Sequence, residues 1–168
     1  MSSETKTKNK EQPPKLSVKT LLSPISGLSK ALESHQDSLI AKGFLGHGVS
    51  ITVQGSRVVA PCKAKVISIA PTGHHITLGA ADGLTIEIII GFDAIKMHGV
   101  GFIKKVKCGD TVESGSTLVE LDLLKLKSSL DGTDLALLIS KGALKLTPYH
   151  GNMRAGEDDV MQLIIKSG

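Results

Sequence analysis

The chain is broken into short segments before any helical period can establish itself. From Leu21 onward, runs rich in Val, Ile, Leu and Thr are cut by glycine or proline. "VSITVQ" stops at Gly55, "RVVAP" ends at Pro61 and "AKVISIAP" ends at Pro71. The runs "HHITLG", "LTIEIIIG", "STLVELD", "LALLIS", "GALKLTP" and "VMQLIIK" follow. Branched side chains suit a pleated, half-buried surface, and glycine supplies the backbone freedom that tight turns need. With 18 glycines in 168 residues, the spacing predicts an all-β antiparallel sandwich or barrel. Helix is confined to a turn or two in "SKALESHQDSLIAKGFLG" and in "LDLLKLKSSLDG". No internal repeat is visible.

One domain of this length can bury a sizeable core. The lysine-rich residues 1–18 contain Pro13-Pro14 and read as a disordered tail, with the β domain expected over 19–168. Residues 1–19 hold five lysines against Glu4 and Glu11, which is +3 of the total +4. The body is therefore almost neutral. With one Tyr, three Phe and no Trp, it lacks stacking platforms, so a nucleic-acid partner is excluded. No apolar run reaches 18 residues and no secretory signal is visible, so a cytoplasmic location and no transmembrane segment are expected. Cys62 and Cys108 form no CxxC pair and read as reduced packing residues. No cofactor motif is present. Adjacent His74 and His75 would point to opposite faces of a strand, so no metal site is expected.

The stretch "HHITLGAADGLTIEIIIGFD" carries the chemistry. Asp82-Gly83 marks a hairpin turn, placed at residues 80–83. That turn sets Gly79 opposite Leu84 and His74 opposite Ile89. Period-two alternation puts Leu84, Ile86, Ile88 and Ile90 on the core side. Thr85, Glu87 and Ile89 face outward, His74 shares their surface, and His75 is expected to point inward.

Six stretches fall in the order found in one family: "SPISG" (23–27), "FLGHGVSI" (44–51), "VVAPCKAKV" (58–66), "PTGHHITL" (71–78), "GFDAIKMHGVGF" (91–102) and "CGDTV…LVELDL" (108–123). Over residues 20–166 the chain resembles the glucose-type enzyme IIA proteins of the bacterial phosphoenolpyruvate-dependent sugar phosphotransferase system. The resemblance implies an antiparallel β-sandwich with short helical segments, the duplicated hybrid motif. It also implies phosphoryl transfer by two histidines on neighbouring strands. The supporting histidine of a Thr-Asn-His-Ala motif falls on His74, within Thr72-Gly73-His74-His75. The nucleophile of an apolar-His-Phe-Gly motif falls on Ile89, within Ile88-Ile89-Ile90-Gly91. Isoleucine has no lone pair and cannot accept a phosphoryl group. Glu87 stands where the family has an apolar residue, and its charge would repel that group. His47 replaces the acid of a Gly-Asp-Gly motif, and Gly73 replaces the Asn. Ala60-Pro61, Asp93, the Gly99–Phe102 loop and Asp122 are kept.

The resemblance therefore implies a phosphotransferase-family chain with a degenerate nucleophile position, acting by regulatory partner binding. Leu39, Phe44, Leu45, Ile76, Ile89 and Asp93 are expected on the docking face, with Thr72 and Glu87 beside it. The implied partners are the histidine phosphocarrier protein, a sugar-transporter IIB domain, and regulated enzymes or transporters. The alternative is an active phosphocarrier that uses His74 or His75. A purely structural β-domain is the third possibility.

Overall fold

The computed structural model describes residues 15–167. Among the described residues, fourteen strands form three sheets with antiparallel pairing. The first has β1 (Lys15–Leu22) at one edge and, further along the chain, β14 (Asp159–Ser167) and β12 (Ala143–Pro148), in the order β1-β14-β12. The second joins β4 (Arg57–Val59), β10 (Thr117–Leu121) and β8 (Phe102–Lys104). The largest has eight strands. Its order is β13 (Gly151–Met153), β2 (Gly27–Ala31), β3 (His47–Val53), β11 (Leu135–Lys141), β7 (Thr85–Ile90), β6 (His75–Gly79), β5 (Ala64–Ile69) and β9 (Thr111–Val112). Two short helices, α1 (Ser38–Ala41) and α2 (Leu123–Ser129), begin at Asp37 and Asp122, whose side chains accept from Leu39 N–H and Lys125 N–H. This is the all-β sandwich that the glycine-cut runs predict.

The inner faces of the sheets share one core. Leu84, Ile86, Ile88 and Ile90 are each no more than 1% exposed, while Thr85, Glu87 and Ile89 are half-buried. The alternation along β7 thus reads as expected. Strand β11 differs, because Leu135 through Ile139 are buried on both faces. Its outer face is roofed by the segment 32–41, where Leu32 and Ile40 cover Ala136 and Leu138 in a second, smaller apolar cluster.

Three expectations are corrected. Residues 15–18 belong to β1, pairing with residues 164–167, so the ordered domain starts before position 19; residues 1–14 lie outside the described part. Cys62 is buried, but Cys108 is exposed and donates its thiol to the Ile67 carbonyl at 3.0 Å. The β6–β7 hairpin is one residue out of its expected register. Asp82 and Gly83 are both left-handed, at φ 66° and 76°, so three residues reverse the chain. Ala80 N–H then closes on the Leu84 carbonyl at 2.8 Å. Gly79 consequently faces Thr85, Thr77 faces Glu87, and His75 faces Ile89.

Candidate functional site

The register decides which histidine meets the outer face. Opposed residues on antiparallel strands point to the same side, and a one-residue slip exchanges the two sides. His75, not His74, therefore stands beside Ile89. His75 Nε2 lies 2.8 Å from Glu87 Oε1. Thr77 Oγ1 donates to the same oxygen at 2.7 Å, and Ser140 Oγ donates to Oε2 at 3.1 Å. The Glu87 side chain is 15% exposed against 40% for His75. A carboxylate only accepts, so the shared proton belongs to Nε2, and Nδ1 makes no hydrogen bond among the described residues. Charge-assisted bonds of this kind are roughly twice as strong as neutral ones. Glu87 is thus the centre of a polar cluster joining β6, β7 and β11.

His74 occupies the position just before β6, where its carbonyl accepts from Ile90 N–H at 2.8 Å. Its Nδ1 is hydrogen-bonded to Thr72 Oγ1. Burial pushes the His74 imidazole below its ordinary pKa, and the neighbouring His75 acts in the same direction. Gly73, between Thr72 and His74, is left-handed at φ 83°, and a Cβ there would stand 3.1 Å from Lys104 Cγ. A side chain at that position would crowd the β8 strand.

Ile89 is a packing residue as well as a site residue. It lies half-buried against the small cluster of Leu32, Ile40, Ala136 and Leu138, so one side of it is apolar. Ile76 is corrected outright: it is fully buried in the main core and has no place on a docking face. Leu39, Phe44 and Leu45 are 54%, 71% and 43% exposed along α1 and the loop after it. Asp93 is exposed and left-handed at φ 58°, and precedes the helical turn Ala94–Met97. Among the described residues no group of three or more His, Cys, Asp or Glu gathers to hold a metal ion. No helix there is long and apolar enough to cross a membrane.

A second polar cluster lies at the other end of the same face. Asp134, 4% exposed, receives Lys30 Nζ at 2.8 Å, with Ser50 Oγ at 3.4 Å. His35 is buried beneath the 32–41 segment and accepts Asp37 N–H on Nδ1 at 3.0 Å. Its Nε2 makes no hydrogen bond among the described residues, and the nearby Asp134 carbonyl already accepts Gly91 N–H at 3.0 Å. Burial pushes the His35 pKa down, opposed by the charges of Asp134 and Asp37. Sequence reasoning missed this cluster because its members lie far apart along the chain.

A sequence model of the phosphoenolpyruvate-dependent sugar phosphotransferase system, EIIA 1, matches residues 19–143. The chain belongs to this family. It is 29% identical over 164 residues to the glucose-specific EIIA component of Oceanobacillus iheyensis, spanning 94% of this chain and 96% of that one. It is 32% identical over 139 residues to the glucoside-specific EIICBA component of Staphylococcus carnosus, which covers 82% of this chain. This chain spans only 20% of that relative's length. The fold is that of the glucose permease IIA of Mycoplasma capricolum, with a TM-score of 0.83, 24% identity, and coverage of 87% and 96% of the two chains. This glucose-type EIIA chain carries Ile89 in an apolar seat and Glu87 in a web of three donors. Glu87 was legible as an outward residue from the alternation of β7. Its partner Ser140 was not, because Ser140 sits 53 residues away on β11.

Proposed function

We propose that this EIIA protein works by docking partners without carrying phosphate at the position the family uses. The observation that carries the reading is Ile89, which lacks a nucleophilic atom and packs with Leu32, Ile40, Ala136 and Leu138. Beside it, the Glu87 carboxylate opposes an approaching phosphoryl group, an effect worth several kcal/mol at about 4 Å in a partly desolvated site. Leu39, Phe44 and Leu45 remain exposed next to this face and supply apolar contact area, with Asp93 as an acidic neighbour. The partners we assign are the histidine phosphocarrier protein, a sugar-transporter IIB domain, and regulated enzymes or transporters. The IIB assignment is supported by relatives whose names place an A part in one chain with B and C parts. Such a protein works in the cytoplasm and binds irrespective of its own phosphorylation. The test is a titration of the labelled protein with the phosphocarrier protein, read by NMR. Amide shifts centred on residues 39–45 are expected, and Phe44→Glu should abolish them. Absence of any shift at equimolar protein overturns the reading.

A second reading has one observation in its favour. His75 lies on the outer face opposite Ile89, its Nε2 engaged by Glu87 and its Nδ1 unbonded among the described residues. A phosphocarrier with its acceptor moved to His75 Nδ1 would use that arrangement. His74 has Thr72 on its Nδ1, which leaves Nε2 as its acceptor atom, but it does not stand opposite Ile89. Retained phosphoryl uptake in a His75→Ala variant would dismiss His75.

A further inference from the structure

A groove of about 550 Å³ opens at one end of the large sheet, beside the β11–β12 turn. Its walls bring together His47 at the start of β3, Ser140 and Lys141 at the end of β11, Lys145 on β12, His150 and Glu33. Apart from Ser140, which donates to Glu87, the docking reading uses none of these residues. Its volume falls within the range of small-molecule sites, roughly 300–1,000 Å³. Leu32, Ile139 and Leu146 give it an apolar floor.

The charges are what make the groove informative. Neither Lys141 nor Lys145 forms an ion pair among the described residues, although Glu33 shares the groove with them. Two ammonium groups outnumber the one carboxylate, and two imidazoles add ring nitrogens that can hydrogen-bond. They suit a dianionic phosphate, to which lysine binds as a point charge. Glu33 and Ser140 remain as hydrogen-bonding partners for hydroxyl groups on the ligand's body.

The walls are held in place before any ligand arrives. Gly142, at φ 100°, lets the β11–β12 turn pack on the hairpin turn, where a Cβ would stand 2.7 Å from the Gly83 carbonyl oxygen. The His47 ring lies over Gly43, with Cε1 3.0 Å from where a Cβ would be. Fixed walls reduce the ordering cost of binding.

We propose that this groove binds a small phosphate ester with a hydroxylated body, of monosaccharide size. Ser140 ties it to the docking face, because this groove-lining residue also donates its hydroxyl to Glu87 Oε2 at 3.1 Å. A bound ligand that takes the Ser140 hydroxyl alters the Glu87–His75 pair. The proposal rests on no phosphotransferase partner and stands or falls apart from the docking reading.

The test is an NMR titration of the full-length protein with glucose 6-phosphate, glucose and inorganic phosphate in separate arms at matched ionic strength. Glucose 6-phosphate is expected to shift the amides of His47 and residues 140–143 saturably, with His75 following. Glucose should give no saturable shift, and inorganic phosphate should bind at the same place about tenfold more weakly or less. A Lys141→Ala/Lys145→Ala variant should lose about tenfold or more in affinity, one factor of ten corresponding to 1.4 kcal/mol. Lys145→Gln alone serves if that double variant loses its folded spectrum, and should weaken binding severalfold. No saturable shift with the ester, shifts away from the groove, equal binding of phosphate and ester, or lysine-independent binding would each overturn the proposal.

Discussion

The two faces of strand β7 were built by different rules. On the inner face, Ile86, Ile88 and Ile90 are at most 1% exposed and sit in one continuous core. On the outer face, Thr85, Glu87 and Ile89 are half-buried, and Glu87 and Ile89 depend on different neighbours. Glu87 depends on β6 and β11, and Ile89 on the roof formed by residues 32–41. Inner positions are fixed by hydrophobic alternation alone. Outer positions are fixed by register and by what covers the sheet.

Truncating the inner face costs most. Ile88→Ala should lower stability by about 2–5 kcal/mol, the usual range for deleting a buried branched side chain. Ile89→Ala, in the small cluster, should cost about 1 kcal/mol. Denaturant unfolding of both variants at constant m-value checks the order, and equal losses would break the comparison.

Next in size is the polar end of the outer face. Glu87→Leu removes the acceptor of three donors and leaves His75 Nε2, Thr77 and Ser140 to find water. A loss of about 1–3 kcal/mol is expected, below that of Ile88→Ala. Loss of the Nε2–H tautomer signal of His75 in nitrogen NMR would accompany it. An unchanged midpoint would mean that the cluster is ornamental.

The smallest effect concerns pH at the opposite end of that face. His35 has a folded pKa below its unfolded value because it is buried, and His74 is shifted in the same direction. The unfolded chain therefore binds more protons in the window just below the ordinary histidine pKa of about 6.5. Stability is fully present above that value and falls as pH drops through it. His35→Gln should flatten part of the slope in a series of unfolding midpoints, while opposition from Asp134 and Asp37 keeps the effect modest.

Much of this was legible in the residues. Glycine-cut runs of branched residues predicted the all-β fold, and the alternation in "LTIEIIIG" placed every side chain of β7 on its observed face. The hairpin failed by one residue, because Asp82-Gly83 turns the chain in three residues rather than four. That slip exchanged the roles of His74 and His75 and put Ile76 on the wrong face. The Lys30–Asp134–Ser50 cluster carries no local signal, since Ser50 and Asp134 are 84 residues apart and meet only through β3–β11 pairing.

We propose that Ile89, with Glu87 beside it, leaves the family's phosphoryl position without an acceptor. Intact-mass analysis tests this most directly, with phosphoenolpyruvate, the system's first enzyme and the histidine phosphocarrier protein acting on the natural protein and on Ile89→His. The expected result is one phosphoryl group on Ile89→His and none on the natural protein. A phosphoryl group on the natural protein that disappears in His75→Ala would contradict the account and move the acceptor one strand across.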